Sequence, residues 1–237
     1  MIEVTGLTKA FGRLRVLDGV DLRIAPGRVT GIVGPNAVGK TTFLKLLVGL
    51  IHADAGRILV GGLPVSADGA YRDRIGYMPQ ISTFPERLSG RYCLELLKDL
   101  RGRGAETDEE LIGQFGLEDQ LTKPLRTLSG GTRQKVNAVM AFLFRPELIL
   151  LDEPTSGLDP LSSSILKDKI ARERERGRTI VVASHQMAEL EEIADDVVVL
   201  LDRTVRFVGP IEQVKRGTHQ VSLERAVAHL MIRGVAA

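Results

Sequence analysis

The sequence predicts an α/β fold with a mixed β-sheet, an antiparallel β layer and an inserted helical lobe. Short apolar runs bounded by turn residues recur along the chain, as in "VTGIVG" at 29–34 and "LILLDEP" at 148–154. Helical patterns separate these runs, and such alternation is typical of α/β proteins. Residues 81–147 differ, because they contain almost no strand pattern. We therefore expect a sheet-based core that carries a helical insertion.

The strand predictions follow from composition and from the spacing of turn residues. Residues 1–30 and 50–80 alternate short strand-like segments with turns, which indicates an antiparallel layer beside the main sheet. Several other runs are apolar throughout, as expected for strands covered on both faces. The apolar runs lie at 29–34, 56–62, 74–79, 148–154 and 179–185.

Helical patterns fill the remaining segments. One helix is expected at 40–50, directly after a glycine-rich turn, and another at 162–177, where the alternating charges of "ARERERGR" indicate a solvated helix end. The helical lobe covers about 81–147, and a last helix at about 222–233 is expected to pack on its own domain. Its apolar face would consist of Leu223, Ala226, Val227, Leu230 and Met231. We expect residues 1–237 to form a single domain.

Composition narrows the range of functions. Lys and Arg total 32 against 30 Asp and Glu, a net charge of +2 that is too even to argue for nucleic acid, so we expect no nucleic-acid partner. Cys93 is the only cysteine, which excludes an intramolecular disulfide and a cysteine-based metal cluster. The longest apolar stretches are far shorter than the ~18 residues of a membrane-spanning helix. A cytoplasmic protein that reaches a membrane through a partner is therefore expected.

Residues 34–41 match the pattern G-x-x-x-x-G-K-[ST] between a predicted strand and a predicted helix. In that context, successive backbone N–H groups surround a β-phosphate, aided by the positive end of the helix. Lys40 would lie between the β- and γ-phosphates, and the Thr41 hydroxyl would bind Mg²⁺. The expected core is therefore that of a P-loop nucleotide hydrolase.

Two further motifs complete the chemistry. "LILLDEP" ends a strand in two carboxylates, of which Asp152 is placed to hold Mg²⁺ and Glu153 to polarise an attacking water. "LSGGT" at 128–132 opens a helix with Ser129 as N-cap and two glycines that leave backbone N–H groups open to an anion. One nucleotide in one chain does not obviously need this second anion-binding terminus.

The sequence resembles the ATP-binding cassette family over nearly its whole length, because six motifs stand in the family's order. They are "GPNAVGKTT" (Walker A), "YMPQ" (Q-loop), "LSGGT" (signature), "LILLDEP" (Walker B), "SGLD" (D-loop) and "ASHQ" (switch histidine). The resemblance implies that Glu153 is the general base, that His185 contacts the γ-phosphate, and that Gln80 senses Mg²⁺ and the attacking water. Phe11 would stack on adenine.

The resemblance also implies two ligand sets. The ATP contacts would come from Phe11, Val16, Gly34, Pro35, Asn36, Ala37, Val38, Gly39, Lys40, Thr41, Thr42, Ser129, Gly130 and Gly131. The Mg²⁺ contacts would come from Thr41, Gln80 and Asp152. Ser129 and the two glycines would reach the nucleotide of a second copy, so that two ATP molecules lie between two head-to-tail subunits.

The family offers more than one use for such an ATPase. The leading interpretation is a subunit that drives separate transmembrane permease subunits from the cytoplasmic face of the membrane, with exporter-type or multidrug-type cassettes most similar. Copper delivery in nitrous oxide reductase maturation is one suggestion within that class. The alternatives are a soluble member of the superfamily that acts on ribosomes or DNA, and a non-catalytic ATP-binding regulator. The intact Glu153 and His185 argue against the regulator.

Two departures from the family pattern, and one surface, carry specific expectations. Ala37 replaces a glycine; if the loop needs a positive φ there, alanine costs about 1 kcal/mol. Thr132 replaces the usual glutamine and is expected to be tolerated, since that side chain points away from the phosphates in the family. The permease is expected to dock after Gln80, on a surface that consists of Phe84, Pro85, Arg87, Leu88 and Tyr92. Alternatively, Phe84 and Leu88 close the lobe's own core.

Overall fold

The computed structural model describes residues 1–66, 69–81, 84–85, 87–102 and 105–233. The strands are β1 (Ile2–Phe11), β2 (Leu14–Ile24), β3 (Val29–Val33), β4 (Ala55–Val60), β5 (Leu63–Pro64), β6 (Ile75–Met78), β7 (Leu148–Asp152), β8 (Thr179–Ala183), β9 (Asp196–Leu201) and β10 (Thr204–Pro210). The helices are α1 (Lys40–Leu47), α2 (Gly90–Arg101), α3 (Glu110–Gln114), α4 (Gly130–Phe142), α5 (Pro160–Glu175), α6 (Met187–Ile193), α7 (Ile211–Thr218) and α8 (Leu223–Arg233).

A six-stranded mixed sheet forms the centre of the molecule, in the order β10-β9-β3-β8-β7-β6. All neighbours in it are parallel except β10 and β9, which pair antiparallel. β3, β7 and β8 are buried at every position, as their continuous apolar composition predicts. The predicted α/β class is confirmed. β9 and β10 were not among the predicted strands.

The antiparallel layer is a separate four-stranded sheet with the order β2-β1-β4-β5. It meets the central sheet beside β10, where the backbone N–H of Asp18 donates to the carbonyl of Arg203 at 2.9 Å. The two faces of the central sheet carry different apolar cores, since successive side chains of a strand point in opposite directions. Ile32 and Leu150 face α1 and the antiparallel layer, whereas Val33 and Leu151 face the helical lobe and α5.

The helical lobe consists, in its described part, of α2, α3 and α4. Ser89 and Ser129 cap the starts of α2 and α4 by accepting hydrogen bonds from backbone N–H groups. α4 is tied to the central sheet, because the Asn137 side-chain amide donates to the carbonyl of Pro79 at 2.9 Å. The lobe is therefore attached just before Gln80, the residue expected to sense the nucleotide.

The last helix packs on the remainder of the chain. Leu223, Ala226, Val227 and Leu230 are buried in the same core as α5 and the lobe. Met231, which was expected on this apolar face, is 45% exposed, so that part of the prediction is wrong. The helix contacts its neighbours through the face that the four buried residues form, and this face is narrower than the apolar face that the sequence spacing predicts.

A buried ionic cluster joins α5 to the start of α3. The ammonium of Lys169 is fully buried and lies 2.6 Å from Asp108, 3.1 Å from Glu173 and 3.2 Å from Glu110. Burial lowers the pKa of Lys169, but the hydrogen bonds to Asp108 and Glu173 raise it by a larger amount, so the net pKa lies above its ordinary value. Glu173 belongs to the run predicted as a solvated helix end; its burial corrects that prediction and follows from this pairing.

No helix within the described ranges has the length and apolar character needed to cross a lipid bilayer.

Candidate nucleotide-binding site

The segments expected to form the site leave the central sheet at one edge. β3, β8, β7 and β6 are parallel neighbours, and the ladder places both Ile32 and Asp152 opposite Ala183. Because the four strands run in one direction, their carboxyl ends meet at the same edge. The segments that follow them are residues 34–42, Ser184–His185, Glu153 and Gln80.

The loop after β3 depends on its two outer glycines. Gly34 has a φ of 155°, and a Cβ there would collide with the carbonyl oxygen of Leu200. Gly39 has a φ of 112° and is the N-cap of α1, but no side chain caps this helix. The first N–H groups of α1 therefore stay available to an anion, which is what a phosphate cradle requires.

Lys40 closes the loop from within. Its ammonium donates to the carbonyls of Gly34 at 2.8 Å and Pro35 at 3.2 Å, and the residue is only 8% exposed. Burial lowers the pKa of Lys40, while the charges of Glu153 and Asp152 act in the opposite direction. A negatively charged phosphate beside this ammonium would compensate for the desolvation.

Ala37 adopts a φ of 61°, in the left-handed region where glycine is favoured. The positive φ on which the expected strain depends is therefore present. The side chain is exposed, so replacing it by glycine would leave no buried cavity. Of the other loop residues, Pro35 and Asn36 are exposed, whereas Val38 and Thr42 are half-buried.

Asp152 has the features of a cation ligand. It is 1% exposed, and its buried Oδ2 has no hydrogen-bond partner among the residues that the structure describes. Burial raises the pKa of this carboxyl, and a hydrogen bond with Thr41 lowers it only in part. A divalent cation would supply the missing partner, so the residues fit Mg²⁺. No group of three or more His, Cys, Asp or Glu side chains within the described ranges is placed to hold a metal ion.

Tyr77 lies close to this carboxylate and was missed in the sequence. Its hydroxyl is buried and unpartnered, and burial, followed by the charge of Asp152, raises the pKa of Tyr77 to about 12. The alternation of side chains along a strand could have indicated this proximity. Tyr77 is opposite Leu150 in the ladder and therefore lies on the same face of the sheet as Asp152.

Glu153 and His185 form one unit. Glu153 has a φ of 49°, and its carboxylate accepts the backbone N–H of His185 at 3.0 Å and the Ser184 hydroxyl at 3.3 Å. The Nδ1 of His185 lies 2.8 Å from the same carboxylate. The γ-phosphate contact expected for His185 stays a prediction, and the contact with Glu153 was not foreseen in the sequence. The imidazole remains half-exposed, with its other nitrogen not engaged by that contact.

The second anion-binding terminus faces a different cavity. A space of about 550 Å³ is lined by Gln80, Arg126, Gly130, Gly131, Ser156 and Gly157, among others. No residue of the 34–42 loop belongs to the lining that the structure describes. Gln80, which was predicted to sense the nucleotide, therefore lines the same cavity as the signature motif and the D-loop.

The start of α4 is coupled to the acidic strand end. A Cβ on Gly131 would lie 2.8 Å from the carbonyl oxygen of Gly157, whereas a Cβ on Gly130 would meet nothing within 4 Å. The buried side-chain amide of Gln134 donates to the carbonyls of Glu153 and Pro154, both at 3.4 Å. Sequence reasoning missed Gln134, since a glutamine inside an amphipathic helix gives no signal of this contact.

Phe11 and Val16 lie on the β1–β2 hairpin. A Cβ on Gly39 would lie 3.0 Å from Val16 Cγ1, so Val16 is adjacent to the phosphate loop. Phe11 is 50% exposed, and the Lys9 ammonium lies 5.3 Å from its ring centroid. An exposed aromatic ring on this hairpin is available for stacking on a base.

Comparison with known proteins places this geometry among ATP-binding cassettes. The family model described as ABC transporter matches residues 17–156. The daunorubicin resistance ATP-binding protein DrrA3 of Streptomyces coeruleorubidus is 36% identical over 92% of this chain and 70% of its own length. The daunorubicin/doxorubicin resistance ATP-binding protein DrrA of Streptomyces peucetius is 35% identical over 90% of this chain, which spans 66% of that relative.

Solved structures agree in fold. An ATP-binding subunit of an ABC transporter superposes with a TM-score of 0.90 at 30% identity, over 97% of this chain and 99% of that one. A dimeric ATP-binding cassette in a post-hydrolysis state with ADP and Pi superposes with a TM-score of 0.80 at 25% identity, over 89% of this chain and 98% of that one.

Replacing Ala37 by glycine should relieve backbone strain. The strain of a non-glycine residue with positive φ is about 1–2 kcal/mol, and glycine returns about 0.5–1 kcal/mol through the entropy of the unfolded chain. We expect Ala37→Gly to raise the free energy of unfolding by up to about 1 kcal/mol and to bind ATP equally well or more tightly. Urea unfolding and ATP titration measure both quantities.

The matched control is Ala53→Gly, at an exposed alanine outside the left-handed region. It should lose about 0.5–1 kcal/mol of stability, because only the entropic cost remains. A clear loss of ATP affinity in Ala37→Gly would show that alanine is adapted to the loop and that the strain argument is wrong.

Gly131 and Gly130 should respond oppositely to alanine. Gly131→Ala must displace the Gly157 backbone, so we expect lower stability, by about 1–3 kcal/mol on the scale of overpacked sites. Gly130→Ala meets open space and gains up to about 1 kcal/mol of helix propensity. Thermal unfolding of the two variants distinguishes them. Equal melting temperatures would refute the close approach of Gly131 to the backbone of Gly157.

Proposed function

The chain belongs to the ATP-binding cassette (ABC) transporter family, and on this premise we propose that it is the ATP-hydrolysing subunit of a membrane transporter. One observation carries the proposal: Lys40, Asp152 and Glu153 converge at one edge of the sheet beside an uncapped helix N-terminus. Relatives named for transport or drug resistance favour this reading over a soluble protein that acts on ribosomes or DNA.

The proposed chemistry is in-line hydrolysis of ATP. The loop and Lys40 bind the phosphates; Thr41, Asp152 and Gln80 would hold Mg²⁺, which would supply positive charge to offset the negative charge of the phosphates. Glu153 accepts a proton from the attacking water while the oxygen of that water forms a bond to the γ-phosphorus. The bond from phosphorus to the bridging oxygen breaks, and ADP leaves with that electron pair. Phe11 and Val16 bind the adenine side of the nucleotide.

His185 and Ser184 orient the general base in this proposal. Three donors or ring atoms contact the Glu153 carboxylate, which fixes its direction relative to the phosphate loop. In this proposal the second ring nitrogen of the half-exposed His185 imidazole contacts the γ-phosphate. This arrangement accommodates the contact that the family resemblance implies.

A second copy of the chain is proposed to complete the site. The exposed start of α4, with Ser129 and Gly130, would contact the nucleotide bound by the partner copy. The dimeric cassette with ADP and Pi supports this arrangement by its similarity in fold. We also propose that residues 1–237 act as one unit, with the lobe at about 81–147 and the terminal helix at about 222–233.

Separate transmembrane permease subunits are proposed to dock on the lobe, on the cytoplasmic face of the membrane. A cavity of about 360 Å³ beside Pro79 is lined by Tyr77, Phe84, Leu97 and Phe144, among others. Phe84 and Leu88 are partly buried against the main core, so the alternative role expected for them has support. The docking surface therefore rests chiefly on Pro85, Arg87 and Tyr92, which are exposed.

The cargo depends on the membrane partner. The relatives named for daunorubicin resistance favour an exporter, while a phosphate import ATP-binding protein of Natronomonas pharaonis, 34% identical, represents import. Copper delivery in nitrous oxide reductase maturation stays a prediction from the sequence.

Glu153→Gln tests the catalytic assignment. The variant should bind ATP but hydrolyse it about 10²–10⁴-fold more slowly, because the amide cannot accept the proton. It should accumulate as an ATP-bound dimer, which sedimentation velocity would detect. Glu175→Gln, at an exposed acid outside the candidate site, is the matched control and should hydrolyse ATP normally. Unchanged turnover in Glu153→Gln would remove this residue from the mechanism.

The docking proposal is tested with exposed residues. Arg87→Ala with Tyr92→Ala should reduce copurification of an integral membrane protein from detergent-solubilised membranes, and should leave ATP binding unchanged. The matched pair Arg206→Ala with Val208→Ala removes an exposed arginine and an exposed apolar residue from β10. If the first pair assembles and transports as the second pair does, the docking surface lies elsewhere.

A further inference from the structure

The hydroxyl of Ser129 makes both of its contacts with one residue. Its Oγ accepts the backbone N–H of Thr132 at 3.1 Å and lies 2.8 Å from the Thr132 hydroxyl oxygen. Ser129 is exposed, while Thr132 is half-buried. A capping serine needs only the first of these contacts to satisfy the helix. The second contact exists because this chain has threonine, rather than the family's usual glutamine, at that position.

We propose that Thr132 is a positioning residue that fixes the Ser129 hydroxyl as a hydrogen-bond donor toward the phosphate of the partner copy's ATP. This inference rests on the proposed function, in which Ser129 contacts that nucleotide. Thr132 itself touches neither the phosphate nor the water. Its effect is exerted through the oxygen of Ser129.

Hydrogen-bond accounting gives the direction. A hydroxyl has one proton to donate and two lone pairs that accept. When Thr132 donates through both its N–H and its O–H, the two acceptor sites of Ser129 Oγ are filled. The serine proton can then only point outward, to an oxygen of an anion. In the opposite direction, Ser129 donates to Thr132 and has no proton left for a phosphate.

The anion selects between these two directions. A phosphate oxygen without a proton can only accept a hydrogen bond, so it is satisfied only by the arrangement in which Thr132 donates. That arrangement is a chain from Thr132 to Ser129 to phosphate, in which each hydrogen bond polarises the next. The exposed N-terminus of α4 adds its positive end to the same target.

The test measures dimer formation in the Glu153→Gln chain, where ATP is not consumed. Thr132→Val keeps the shape and the backbone N–H but removes the hydroxyl. We expect it to raise the ATP-dependent dimer dissociation constant about two- to four-fold, because the Thr132–Ser129 contact exists in the monomer as well and only its polarising effect on the bond from Ser129 to the phosphate is lost. Thr132→Ser restores the donor and should restore dimerisation. ATP affinity of the monomer should be unchanged in both, because the chain's own nucleotide lies at the 34–42 loop.

Ser129→Ala separates the inference from the function on which it rests. It should weaken the dimer at least as much as Thr132→Val, and the double variant should lose no more than Ser129→Ala alone. If Ser129→Ala weakens the dimer while Thr132→Val leaves it unchanged or tightens it, the positioning role is overturned and the proposed function survives. If Ser129→Ala has no effect, Ser129 does not contact the partner copy's nucleotide and the inference falls with that contact, whereas ATP hydrolysis is tested separately by Glu153→Gln. A failure of Thr132→Ser to restore dimerisation also overturns the inference.

Discussion

The parallel register of β3, β8, β7 and β6 is the constraint on which the candidate site depends. Backbone hydrogen bonds between these strands fix where each strand ends, and their common direction brings four separate segments to one edge. A one-residue shift of β7 would turn Asp152 to the opposite face of the sheet. The apolar cores on both faces oppose that shift, because Leu150 and Leu151 are buried on different sides.

Burial disfavours the charged forms of two side chains in the site. Lys40 and Asp152 are buried, with their pKa values moved toward the neutral forms by desolvation. Ala37 and Glu153 both have positive φ, a conformation that costs non-glycine residues stability. A triphosphate with its cation would supply the charges that these groups lack. This edge of the sheet therefore holds buried, incompletely neutralised charges that such a ligand can pair.

Beside the apolar core that they share, the lobe and the remainder of the chain are joined by polar contacts. Lys169 anchors α5 to Asp108 at the start of α3, while Gln134 joins α4 to the backbone of Glu153. The first is a buried charge cluster that costs much to break. The second consists of two long hydrogen bonds at 3.4 Å, which are weak. Of these two contacts, the hydrogen bonds of Gln134 are therefore the easier to break.

The sequence by itself determined the α/β class, the phosphate loop and the acid pair, because each is encoded in a short contiguous pattern that local chemistry explains. It did not predict β9 and β10, the burial of Glu173, or the contact between His185 and Glu153. These depend on partners far away in the chain: Glu173 is buried only because Lys169 neutralises it, and His185 reaches Glu153 only because β7 and β8 are adjacent. Tertiary packing decided them, since spacing along a chain carries no information about which distant residue will lie opposite.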